Sequence, residues 1–169
     1  ALVTGASRGI GEALAIGLAE HGADIAIYDL ESEEKGLLNT KKLVEKTGQR
    51  CWSYFLDVAS KPQITETINK TLSDTGSIDI LVNNAGTSQR GPFLEVSDEL
   101  WQNDLDLKLF AAIRLSRLIL PGMQKRKWGR IINYASLASR RALPSSIAYG
   151  ASKGGIEQLT RAMAEAWSP

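Results

Sequence analysis

Cysteine is almost missing from this sequence. Cys51 stands alone among 169 residues, which excludes an internal disulfide and fits a reducing, cytoplasmic setting. Histidine is as scarce: with His21 alone and no second cysteine, no metal-ligand spacing exists, and no metal is expected. His21 precedes Gly22 at the end of a helical pattern, where a partly charged ring favours the helix C-terminus. No apolar run approaches the length of a membrane span, and the chain opens inside a strand-like segment instead of a basic and apolar leader. Charge of one sign is absent too. Twenty Lys and Arg against nineteen Asp and Glu give a net +1, scattered along the chain, so neither nucleic acid nor an acidic membrane is implied as a partner. The densest basic run, Lys125-Arg126-Lys127 with Arg130, follows Pro121 and Gly122 and reads as a solvated helix terminus beside a surface loop. The length suits one domain, residues 1–169.

Short apolar runs and helical patterns alternate along the chain. Ala1 to Thr4 stops at Gly5, and the helical pattern from Ile10 to His21 places Ile10, Leu14, Leu18 and Ala19 on one face. Ala23 to Tyr28 forms a second run ending at Asp29, followed by a charged helical segment from Ser32 to Lys46 with an apolar stripe at Leu37, Leu38 and Val44. Cys51 to Leu56 and the pattern from Lys61 to Ser73 repeat the plan, with Ile64 and Ile68 at i,i+4. A fourth run, Ile78 to Val82, precedes a long helical pattern from Asp98 to Leu120. The fifth strand is Arg130 to Tyr134, and a last helix runs from about Ala148 to Trp167. Strands without polar alternation, separated by helices, indicate a parallel sheet covered on both faces, a doubly wound α/β architecture. The longest loop is expected between Ser136 and Ile147, after a strand's carboxyl end, where sites form in such sheets.

The string Thr4-Gly5-Ala6-Ser7-Arg8-Gly9-Ile10-Gly11 lies between the first strand and the first helix, the position of a dinucleotide-binding loop. Gly5 suits a tight turn, Gly9 lets a pyrophosphate approach the backbone, and Gly11 removes a side chain where helix meets strand. Asp29 closes the second strand at the spacing from which an acid reaches the ribose hydroxyls. Its carboxylate favours NAD and repels the extra phosphate of NADP, although Arg8 offers a cation that would accommodate that phosphate. NAD is the preferred cofactor and NADP the alternative.

Tyr149 and Lys153 stand at i and i+4 of the last helix, on one face. An isolated phenol ionises near pH ~10, and an adjacent cation lowers that value, which makes such a tyrosine an acid/base at neutral pH. Ser136, just past the fifth strand, offers a hydroxyl to a substrate oxygen on which charge builds. Taken singly, a Tyr-x-x-x-Lys pair is an ordinary surface pair.

Together these motifs resemble the short-chain dehydrogenases/reductases, across essentially the whole chain. TGASRGIG is similar to the cofactor loop of that family, Asp57-Val58 to its pair beside adenine, Asn83-Asn84-Ala85-Gly86 to its NNAG element, and Ser136, Tyr149 and Lys153 to its catalytic set. The resemblance implies a Rossmann fold. It also implies hydride transfer at the nicotinamide, with Tyr149 exchanging the alcohol proton, Ser136 holding the oxygen and Lys153 also binding the nicotinamide ribose. The cofactor contacts implied are Gly5, Ser7, Arg8, Gly9, Ile10, Gly11, Asp29, Asp57, Val58, Asn84, Ala85, Gly86, Tyr149 and Lys153. Secondary alcohols or ketones of sugar-acid, polyol or 3-oxoacyl type are the expected substrates. A homodimer or homotetramer is implied, built through the two long helices, where Leu105, Ile113, Leu159 and Met163 are apolar.

Two departures stand out. Lys108 occupies the family's fourth catalytic position, normally an asparagine that holds a proton-relaying water, and an ammonium has donors but no acceptor. A second cation near Lys153 disfavours both charges unless a carboxylate or an anionic substrate lies between them. Three readings stay open: Lys108 turns away and a slower relay persists, it binds an acidic substrate, or the chain is a catalytically weakened dinucleotide sensor or interaction module. The other departure is length. The family continues for about eighty residues through further strands and a substrate-covering loop, so a fragment truncated after the helix that follows strand five is expected, with the fifth strand as an unpaired edge.

Overall fold

Leu2 and Val3 show how this sequence builds a two-sided sheet. Successive side chains of a strand point to opposite faces, and both residues are fully buried. Leu2 joins Ala26, Tyr28 and Leu81 in a core over one face, while Val3 joins Ile25, Ile27 and Val82 in a core over the other. The buried aliphatic and β-branched residues Leu2, Val3, Ile25, Ile27, Leu81 and Val82 each stabilise by roughly 1.5–3 kcal/mol. That is why the runs show no polar alternation.

The computed structural model describes residues 1–87, 91–141 and 143–167. In chain order the elements are β1 (Leu2–Thr4), α1 (Gly9–Glu20), β2 (Ile25–Asp29), α2 (Glu34–Glu45), β3 (Cys51–Phe55), α3 (Lys61–Thr75), β4 (Ile80–Asn83), α4 (Asp98–Leu105), α5 (Ala111–Arg126), β5 (Arg130–Asn133) and α6 (Ile147–Trp167). The five strands are all parallel and ordered β3-β2-β1-β4-β5. This is the doubly wound α/β sheet expected. The order reverses between β1 and β4, so the crevice at their carboxyl ends is the place where such sheets hold ligands. Ile64 and Ile68 of α3 and Leu115 and Ile119 of α5 fill the first core; Ala15 and Ala19 of α1 and Leu37 and Val44 of α2 fill the second. Cys51 is buried in that second core, and burial pushes its thiol up to about 12. No helix among the described residues is long and apolar enough to cross a membrane.

Four details differ from the sequence reading. α1 buries Gly11, Ala15 and Ala19, whereas Ile10 is 57% exposed; the helix lies so near the sheet that only small side chains fit beneath it. In α2, Leu38 is exposed, and Thr40 takes the inward place because its hydroxyl bonds the Ala6 carbonyl at 2.8 Å. α5 runs on through Pro121 and Gly122 to Arg126. Met123, buried on the same stripe as Leu115 and Ile119, carries the helix past the missing amide, and Lys127 stops it in the left-handed region at φ 56°. The long helix expected from Asp98 is interrupted by a π-helical turn, Asp106–Phe110. The loop after β5 carries a short helical turn, Leu137–Ser139. Ala142 of the expected site loop, and Pro169, lie outside the described residues.

Candidate functional site

The glycine loop sits at the carboxyl end of β1, beside the reversal. Gly9 adopts φ +59° with nothing within 4 Å of where a Cβ would stand, so the loop opens onto free space at the start of α1. Gly11 is the opposite case: a Cβ there would meet the Gly5 carbonyl oxygen at 2.0 Å. No side chain caps α1 at Arg8, which leaves its first amides available to an anion. A pyrophosphate fits this cradle.

Asn84 fastens the loop to β4. Its side-chain amide donates to the carbonyls of Thr4 (2.9 Å) and Gly5 (3.2 Å), while the backbone amides of Asn84 and Ala85 both donate to the Thr4 hydroxyl at 3.0 Å. Gly86 follows, exposed. Thr4 went unnoticed as a site residue in the sequence, although it heads the glycine string. Its buried hydroxyl joins two strands that are adjacent only because the sheet order reverses there.

At the end of β2 both oxygens of Asp29 are held. One accepts from the Ser7 amide and the other from the Leu30 amide, each at 2.9 Å. Ser7 is buried, and Arg8 is drawn to the Glu33 carboxylate at 3.0 Å, an exposed pair. Asp57 turns the chain after β3 by accepting from the Ala59 amide at 2.9 Å. Val58 is buried in the first core.

The second half of the site is assembled by α6 and the π turn. Tyr149 is half-buried, and the ammonium groups of Lys153 and Lys108 lie 5.8 and 5.4 Å from the centre of its ring. Lys153 donates to the Tyr134 carbonyl at the end of β5, 2.5 Å away. Burial in the first place, then the charge of Lys108, push the Lys153 ammonium down to about 8, against the opposing pull of Asp104. Ser136 caps the short turn after β5, its hydroxyl oxygen accepting from the Ala138 amide at 3.2 Å. That leaves the hydroxyl proton to be given elsewhere.

Lys108 turns inward. It is buried and pairs with Asp104 one turn earlier, also buried; the other Asp104 oxygen accepts from the Ser152 hydroxyl of α6 at 2.8 Å. The carboxylate needed between two cations is thus supplied by the chain itself. Asp104 was missed in the sequence, although its i,i+4 spacing from Lys108 was there to be read. Lys108 and Lys153 both line a small cavity of about 10 Å³, together with Thr4, Asn83, Ala85 and Tyr134. It has room for roughly one water. The buried Oδ1 of Asn83, without a hydrogen-bond partner among the described residues, belongs to the same surround.

Comparison with known proteins agrees across the chain. A family model described as short chain dehydrogenase matches residues 1–169. A 2-dehydro-3-deoxy-D-gluconate 5-dehydrogenase of Formosa agariphila is 35% identical over 168 residues, 99% of this chain and 63% of that protein. Among solved structures, a metagenomic short-chain oxidoreductase in complex with NADP superposes with a TM-score of 0.92 at 34% identity, covering 98% of this chain and 74% of that one. A NAD+-bound xylitol dehydrogenase superposes with a TM-score of 0.90 at 34% identity, covering 97% and 63%. The chain spans about two thirds of the length of the curated relatives it matches, 63% and 66% for two of them.

Proposed function

The chain belongs to the short chain dehydrogenase family, and from that premise we propose that it transfers hydride between a nicotinamide dinucleotide and a secondary alcohol or ketone. The observation that carries this reading is the gathering of Tyr149, Lys153 and the glycine loop at one edge of the sheet, at the reversal between β1 and β4. When bound, the nicotinamide supplies the hydride acceptor or donor; the proton chemistry belongs to this chain. During oxidation Tyr149 takes the alcohol proton as the C–H hydride leaves, and during reduction it returns a proton to the carbonyl oxygen. Ser136 gives its free hydroxyl proton to the same oxygen and stabilises charge there. Lys153, anchored on the Tyr134 carbonyl, places a positive charge beside the phenol and a donor toward the ribose.

The pyrophosphate rests on the loop from Gly5 to Gly11 and the first amides of α1, with Ser7, Arg8, Gly9 and Ile10 around it. Asn84, Ala85 and Gly86 border the nicotinamide side, and Asp57 and Val58 the adenine side. NAD is the proposed cofactor. Asp29, fixed at both oxygens, is ready to accept from ribose hydroxyls, and Arg8 is already paired with Glu33. The similarity to a sugar-acid dehydrogenase and to a polyol dehydrogenase supports a polyhydroxylated substrate, with a 3-oxoacyl thioester as the alternative. Residues 1–169 act as one unit in this reading, in the cytoplasm, with the half-buried Leu105, Ile113, Leu159 and Met163 offered to a second copy.

The test is turnover by the full-length protein with a panel of keto sugar acids, polyols and 3-oxoacyl thioesters, run with NADH and NADPH or their oxidised forms. Tyr149→Phe is expected to lower kcat about 10²–10⁴-fold with dinucleotide binding retained, and NADH to outperform NADPH. Full activity in that variant would overturn the mechanism, whereas dinucleotide binding without any turnover would favour the sensor reading.

A further inference from the structure

The Asp104–Lys108 pair has no part in the chemistry just described, and stability alone does not account for it. Both side chains are essentially inaccessible, 1% exposed for Lys108 and 0% for Asp104. A buried ion pair contributes little net stability compared with packed apolar residues of the same volume. Its surroundings are specific. Asp104 is tied to Ser152, the residue directly before Lys153 on α6. Lys108 stands on the π turn, a helical irregularity that occurs often at functional sites. The turn is held from outside by Asp106, which accepts from Arg114 at 2.7 Å and from Gln102 at 2.8 Å. The Lys108 ammonium then faces the same phenol ring as Lys153.

We propose that Asp104, Lys108 and Ser152 form a buried positioning unit for Lys153, in which Lys108 supplies a fixed charge behind the Tyr149 ring and Asp104 both neutralises that charge and clamps it to α6. This deepens the functional reading above and rests on it. It also separates the three roles left open for Lys108: the side chain neither turns away nor awaits an acidic substrate, because its carboxylate partner is intramolecular. The groups facing Lys153 are few. Asp104 and Lys108 come from α4 and the π turn, Tyr149 from α6 and the Tyr134 carbonyl from the end of β5; the rest of the cavity wall is Tyr134 itself, the uncharged Thr4 and Asn83, and aliphatic side chains. Lys108 is therefore the one positive charge in this set able to depress Lys153, and Asp104 acts in the opposite direction.

The test follows Lys153 directly, through the carbon-13 shift of its Cε in lysine-labelled full-length protein titrated without substrate, alongside the pH profile of kcat/KM. Lys108→Met is expected to move the Lys153 titration upward from about 8, by on the order of one pH unit. The activity lost as Lys153 deprotonates is retained to correspondingly higher pH. The double variant Asp104→Leu/Lys108→Met leaves no buried charge unpaired, so it keeps the experiment decisive should the single change lose the fold. Its Lys153 should titrate away from the parent value, with kcat reduced and the KM for dinucleotide unchanged. A double variant in which Lys153 titrates as in the parent makes the pair merely structural and overturns the proposal. Failure of the unsubstituted protein to turn over any carbonyl, with Lys153 still shifting as described, counts instead against the function proposed above.

Discussion

The two corners of the site are held together by different forces. At the glycine loop, most contacts that fix the geometry are neutral hydrogen bonds: Thr4 to Asn84 and Ala85, Asn84 to Thr4 and Gly5, Thr40 to Ala6. Asp29, whose carboxylate holds the Ser7 amide, keeps to the rim, and the ion pair of Arg8 with Glu33 is exposed. At the π turn, by contrast, two ammonium groups and a carboxylate are buried around one phenol. A surface that receives an anionic ligand does well to carry few buried charges of its own. A site that must hold and release a proton needs groups whose charge is costly to hide, because only those respond strongly to their neighbours.

That contrast can be broken at several points. The largest effect is expected at Gly11→Ala, whose added methyl has no space before the Gly5 carbonyl oxygen. A backbone obstruction of this kind should cost about 3 kcal/mol or more and abolish dinucleotide binding, seen by urea denaturation and by NADH fluorescence titration. Retention of both properties would show that α1 can retreat from the sheet. Next is Thr4→Val, of nearly the same shape, which strips the acceptor from two amides at the sheet reversal. A loss of about 2–4 kcal/mol is expected from the two unpaired donors, insensitive to salt because no charge is involved. A salt-dependent loss would mean that the loop depends on charge after all. Smallest is Arg8→Ala. As an exposed pair, Arg8 with Glu33 should contribute at most about 1 kcal/mol, less in high salt, in denaturation measured across ionic strengths. A larger loss would make the rim as charge-dependent as the π turn.

The same contrast governs how far the sequence could be read. The glycine corner is local: Thr4 to Gly11 is one string, and its chemistry is carried by missing side chains that any reader of the string can see. The alternation of buried runs and helices likewise announced the parallel sheet, since β1, β2 and β4 must bury both faces. The π turn is not local in that sense. One extra residue in a helical turn leaves no mark on an apolar periodicity, so Asp98 to Leu120 read as a single helix. The meeting of Asp104 with Ser152, far apart in the chain, is set by how α4 packs on α6. Ile10 and Leu38 misled for a related reason. Periodicity tells which residues share a stripe, but the closeness of α1 to the sheet decides that alanine rather than isoleucine lies beneath it.

Cys51 carries a practical corollary. The only thiol of the sequence lies inside the second core and is held in its protonated, unreactive form at neutral pH. A cysteine engineered onto the rim of the crevice would then be the one group that a maleimide dye finds in the native state, giving a single-site optical reporter without any need to remove the natural residue.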